Sequence, residues 1–257
     1  MFVENHAVWP RHVICVLGTG LDFDLVEKLV DEVGGTGFSL DRESAMTTPD
    51  PRMVRSFESC LTNATFTAAD RQAVSDHDSV AYILSPPMGD KDMSFLVAAR
   101  MLALTAALLR SGATAVKCES SGLTHGRNRW LELADLAADA PSLADLTTVL
   151  YYAWVKRPLS DDERMYTCGM HLLGEPDVEI KADGLDDPDR LDDWVELIDG
   201  LAVYLLTEVR ALDIRSGEGF RLAPEAPRWI LTRRACHRYA DDDFFYNPYG
   251  YWLLTPG

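Results

Sequence analysis

The stretch SVAYILSPPMGDKDMSFLVAARMLALTAALLRSGATAVKCESSGLTHG, residues 79–126, decides how this chain is read. It holds two short apolar runs, Val80–Leu84 and Ala115–Cys118, around a long apolar segment, Met93–Arg110. The segment is rich in Ala, Leu and Met, which lose little freedom in a helix. Asp90 and Asp92 precede it, where carboxylates suit the exposed N–H groups of a helix start. Ser111-Gly112 ends it, with Arg110 in the last turn. Apolar residues cover most of its circumference, so the helix must be packed on more than one side. Arg100 interrupts it, and no run of about 18 uncharged apolar residues exists, so it reads as a core helix and not a membrane span. The flanking runs have the length and β-branching of buried strands. The whole is a strand–helix–strand unit.

Working toward the N-terminus, Val13–Leu17 is an apolar strand followed by Gly18-Thr19-Gly20 and an amphipathic helix over Phe23–Val33. A dinucleotide fingerprint would need a third glycine where Phe23 stands, and Asp22 and Asp24 would repel a pyrophosphate. A tight turn with Asp22 as helix cap is the better reading. Between Gly34 and Ser79, Phe38–Leu40 and Val54–Phe57 suggest short strands, and Thr67 caps a short helix.

Working toward the C-terminus, a helix is expected over Arg129–Ala138. Leu143–Val155 starts helically but ends TTVLYYAWV, whose β-branched and aromatic residues favour a strand. Lys156–Arg164 reads as a polar loop. Met165–Leu173 and Val178–Ile180 read as strands joined across GEPD. Asp187, Pro188 and Asp189 announce a helix, and Leu191, Trp194, Val195, Ile198, Leu201, Ala202 and Leu205 share one face of it. Trp229–Leu231 is a strand, and the aromatic tail YADDDFFYNPYGYWLLTPG is expected to fold back over the sheet. The fold class is therefore α+β, with mixed sheets covered by helices near 93–110 and 188–209. It forms one compact unit over 1–257 or two intimately joined halves, about 1–140 and 141–257.

The chain of 257 residues carries a formal charge of −17 and a pI near 4.6. Such a surface repels nucleic acid and anionic membranes and attracts basic partners. Five dispersed cysteines without a C-x-x-C pair, and a start lacking a basic then apolar leader, lead to the expectation of a cytoplasmic protein.

Catalytic motifs fail one by one. In KCESSGLTHG, residues 117–126, Cys118, Glu119, Ser120 and His125 could serve a hydrolase or transferase. Yet the nucleophile-elbow spacing around Ser120 is broken by Cys118, and no third orienting group is evident. Lys117 and Glu119 alternate with Cys118 and are expected to face water. His171 lies in an apolar run and reads as structural. A single C-x-x-H spacing, Cys168 to His171, does not make a zinc site. The acids near Asp183 do not follow a calcium loop. No metal and no cofactor are expected.

Between Asp183 and Asp199 eight acidic residues face one Arg. Such runs usually just meet water. The sharper reading makes Asp186, Asp189, Asp192, Asp193 and Glu196, together with Asp241, Asp242 and Asp243, contacts for a cationic partner.

TCGMHLLGEPDVEI, an acid-capped helix ending LAVYLL, and the preceding AVKCESSGLTH and TVLYYAWV resemble an uncharacterised bacterial family, domain of unknown function 4261. The likeness spans about residues 96–206, with Gly169…Gly174-x-Pro176-Asp177-x-Glu179 its most distinctive run. It implies an α+β fold, no known activity or cofactor, and a place among bacterial type VI secretion and toxin–immunity loci. The expectation is an immunity-type protein that neutralises a basic effector. An enzyme at residues 117–126 and a self-associating structural protein, hence a homo-oligomer, are the alternatives.

Overall fold

The computed structural model describes residues 9–61, 65–161, 163–185 and 187–257. The first elements are β1 (Val13–Gly18), α1 (Phe23–Leu29), continued by a π-helical turn to Gly34, and β2 (Ser39–Leu40). Then come α2 (Met53–Glu58), α3 (Ala68–Ser75), β3 (Ser79–Leu84), α4 (Lys91–Arg110), β4 (Ala113–Cys118) and β5 (Leu123–Thr124). Caps read from the sequence form as expected. Asp22 accepts from the amides of Asp24 and Leu25, Thr67 forms a capping box with Asp70, and Asp90 accepts from Met93.

These strands make one antiparallel sheet in the order β2-β3-β1-β4-β5. The continuous apolar run of β1 suits a strand buried on both faces, and it sits in the middle. Because β1 runs antiparallel to both β3 and β4, those two are parallel to each other, and α4 is the crossover between them. Ile14, Val16, Ile83 and Val116 belong to the main core cluster with the apolar residues of α4. On the other face, Cys15, Leu17, Val80 and Ala115 cluster with Met53, Phe57, Phe66 and Val74 around α2 and α3. Val54–Phe57 is thus helical and not a strand.

The chain continues through α5 (Arg127–Ala138), α6 (Leu143–Trp154), β6 (Lys156–Ser160), β7 (Met165–Cys168), a 3-10 turn (Met170–Leu173) and β8 (Asp177–Ile180). After a 3-10 turn (Pro188–Arg190) follow α7 (Leu191–Thr207), a further 3-10 turn (Val209–Asp213), β9 (Gly219–Phe220), β10 (Trp229–Arg234) and β11 (Tyr251–Pro256). The second sheet runs β6-β7-β8-β11-β10-β9, with β8 and β11 its one parallel pair. With helices packed on both sheets, the chain is α+β.

Three expectations are corrected here. TTVLYYAW is the body of α6, because Thr147, Leu150, Tyr151 and Trp154 are buried at helical spacing. The hydroxyls of Thr147 and Thr148 donate to the carbonyls of Leu143 and Ala144, so β-branching is accommodated. Lys156–Ser160 is an edge strand, where Pro158 is tolerated because its missing N–H can face outward. The tail does not only lie over the sheet. Its last strand, β11, is inserted between β8 and β10, with Trp252, Leu253 and Leu254 buried.

The strand at Met165 stops at Cys168 because Gly169 takes φ +122°, and a Cβ there would meet the Trp154 carbonyl at 2.6 Å. The turn that follows packs against α4 and α6. Helices α4, α5, α6 and α7 touch in succession, α4 lying on the first sheet and α7 on the second. One core cluster runs through both. Trp154 sits at this junction. It donates to the Ala98 carbonyl of α4 at 3.1 Å and packs edge-on to His12 and against Trp130. Trp154→Ala is expected to cost about 3–5 kcal/mol, measured as a shift in urea unfolding.

Candidate functional site

The residues weighed for catalysis lie where β4 ends against β1. Cys118 is fully buried, and burial pushes its thiol up to about 11, so no thiolate stands ready at neutral pH. The Ser120 hydroxyl donates to the Arg11 carbonyl at 2.7 Å and accepts from the Val13 amide at 3.0 Å, clamping the chain as it enters β1. His125 is edge-on to Trp130 at 4.7 Å, its Nε2 is 3.3 Å from the Ala153 carbonyl, and burial holds it down to about 4. Each of the three is committed to the fold.

Lys117 does not face water. Its side chain is 4% exposed, 2.9 Å from Glu119, in contact with Ser56 Oγ and 5.6 Å from the Phe57 ring centroid. Cys15 pairs with it across the sheet, and Tyr82 pairs with Cys15. Alternation along β4 places Lys117 on the face that α2 covers. The sequence could not show that α2 was there.

His12 and His171 are buried, and their ring nitrogens lack good hydrogen-bond geometry. Burial takes His12 down to about 3 and His171 to about 4. Asp177 is buried as well, pushed up to about 6. It accepts from Asn247 Nδ2 at 2.7 Å, Thr167 Oγ1 at 2.8 Å and the Met170 amide at 3.2 Å, tying the tail to β7 and β8. Among the described residues no three His, Cys, Asp or Glu side chains converge as a metal-ligand set, so Cys118, His125, Cys168 and His171 do not form one.

The acidic surface is different in kind. Asp189, Asp192, Asp193 and Glu196 are exposed at the start of α7. Among the described residues none of them has a cationic side chain within 4 Å. Asp186 lies outside the described residues. Asp199, on the same helix, is instead structural. It takes two hydrogen bonds from Arg157, at 2.6 and 2.9 Å, and one from the Tyr151 hydroxyl.

Two hollows flank this helix start. One, of about 290 Å³, has Trp194, Leu197, Leu222 and Trp229 as its apolar lining and Asp193 and Glu196 beside them. Trp194 and Trp229 meet edge-on at 5.7 Å, and the Arg190 guanidinium lies 4.2 Å over the Trp194 ring. The other, of about 790 Å³, carries Asp161, Glu163, Asp183 and Lys181. They adjoin through Trp194, whose Nε1 donates to the Gly184 carbonyl. The two tryptophans stand far apart in sequence and each reads as core, so only the folded chain reveals the groove.

Asp241, Asp242 and Asp243 are also exposed, but they belong to the opposite end of the second sheet. They precede Phe245 and Asn247, near the Tyr251 end of β11, whereas the α7 acids lie near its Pro256 end. The length of β11, roughly 20 Å, separates the two clusters.

Acid should weaken this fold. A histidine depressed in the folded state is protonated first on the unfolded chain, so stability falls as pH drops from about 6.5 toward 4. Asp177, raised to about 6, acts in the opposite sense, and Glu175, raised by burial, shares it. Three histidines outweigh two carboxyls. His12→Gln with His171→Gln should flatten the slope of unfolding free energy against pH. In thiol titration of the native protein, half-buried Cys236 should react first and the four buried cysteines only on unfolding. No family model, curated protein or solved structure matches the chain.

Proposed function

We propose that this chain binds a basic protein partner, acting as an immunity-type inhibitor that neutralises a cationic effector in a bacterial cytoplasm. The observation that carries the reading is the start of α7. Four exposed carboxylates stand there with no cationic side chain within 4 Å among the described residues, and two of them, Asp193 and Glu196, line a groove together with Arg190, Trp194 and Trp229. Trp194 and Trp229 are buried, 3% and 8% exposed, so the groove has an apolar floor beside a charged rim, as protein contacts often do. The net charge of −17 adds long-range attraction for a basic partner. Arg190 already rests on Trp194, so the groove accommodates a guanidinium.

The hydrolase or transferase reading draws less support, because Cys118, Ser120 and His125 are buried and engaged. Self-association has the exposed Val209 and Leu212 in its favour, but nothing marks them as a paired surface.

The test uses an arginine- and lysine-rich synthetic peptide, titrated against the full chain at low salt and followed by tryptophan fluorescence. Asp192→Lys, Asp193→Lys and Glu196→Lys together should weaken binding at least tenfold, and added salt should weaken the parent chain. An acidic peptide that binds equally well, or affinity indifferent to salt, would refute the proposal.

A further inference from the structure

Beyond the far end of α7 lies a cleft with two arginines in its lining. The cleft, of about 490 Å³, opens between the helix end, the chain around Arg215 and the Trp252 end of β11. Arg215 and Arg233 line it. Among the described residues, neither guanidinium has a carboxylate within 4 Å. Arg233 is positioned by the fold, with Nη2 donating to the Tyr249 carbonyl at 2.5 Å and the guanidinium 5.0 Å over the Trp252 ring. That leaves further N–H groups of its fork unused. Partial burial lowers its pKa, against the opposing pull of the Glu175 carboxylate.

The carboxylate in the cleft, Glu175, is already neutralised. Lys91 pairs with it and also donates to the Leu205 carbonyl at 3.2 Å. In the lining two guanidiniums thus stand against one carboxylate, a net positive charge on a chain whose formal charge is −17. Leu205, Leu212 and Ile214 supply an apolar wall, with Leu212 73% exposed. The volume falls in the range of small-molecule sites, and two guanidiniums in one lining beside apolar surface suit an oxyanion carried on an apolar body.

We propose that this cleft is a binding site for a small amphiphilic anion, a carboxylate, sulfonate or phosphate carried on an aromatic or aliphatic scaffold, held by Arg215 and Arg233. The site is separate from the acidic groove and does not depend on the partner proposed there. The probe is 1-anilinonaphthalene-8-sulfonate, titrated against the full chain by fluorescence and calorimetry. One saturable site is expected. Arg215→Gln with Arg233→Gln should weaken it at least tenfold while leaving the circular dichroism spectrum unchanged. Phenyl phosphate should compete, and inorganic phosphate should compete more weakly. If the double variant binds the probe as the parent does, or if neutral 1-anilinonaphthalene competes as well as phenyl phosphate, the proposal is wrong. If the double variant proves unfolded, the single Arg215→Gln variant decides, because Arg215 is exposed and outside regular structure; unchanged binding there overturns the site.

Discussion

A helix that is apolar around nearly its whole circumference must be covered on nearly every side. In α4 only a narrow stripe, including Met93, Leu96, Arg100, Ala103 and Arg110, reaches solvent. By length and composition α4 could cross a membrane, yet here it is a core helix packed on protein. The first sheet covers one flank. The helices α5 and α6, the turn Met170–Leu173 and α1 with its π-helical turn to Gly34 cover the rest. That turn belongs to the second sheet, so burying α4 recruits both sheets to one core. Gly169 lets the chain turn there, and Trp154 fills the space between the two systems while satisfying an α4 carbonyl.

The polar groups caught in this junction follow from the same constraint. His12, His125 and His171 are enclosed because the chain segments that carry them must pass close to α4 and α6. Burial keeps them neutral, and an imidazole in that state packs as an aromatic ring. The His12–Trp154–Trp130–His125 series of ring contacts is thus part of the packing.

The solvent-facing chemistry sits elsewhere, distributed along α7. Acids at its first turns are favourable to the helix itself, since they meet the positive end of its dipole. They stabilise α7 and charge one end of the second sheet at the same time. At the other end Lys91 answers the free carbonyl of Leu205, and Arg215 and Arg233 gather beside it. The acids thus stand at the start of α7, and the cleft with Arg215 and Arg233 opens beyond its end.

The sequence by itself determined the local elements whose physics is local. Asp22, Thr67, Asp90 and Asp187 cap the turns that follow them because a cap needs only the next few amides. The long apolar segment and the amphipathic α7 were legible because helical periodicity is written into consecutive residues. What the sequence misassigned was decided at long range. TTVLYYAW is helical because its buried face has neighbours on α4, α5 and α7, which outweigh β-propensity. The tail supplies an inner strand because β8 and β10 leave a place between them, and that vacancy is a property of the sheet. The acidity of α7 could be counted in advance, but the groove beside it joins Trp194 to Trp229, and the basic cleft joins Arg215 to Arg233. Such pairings depend on how the sheet and helix come together, and no spacing in the chain encodes them.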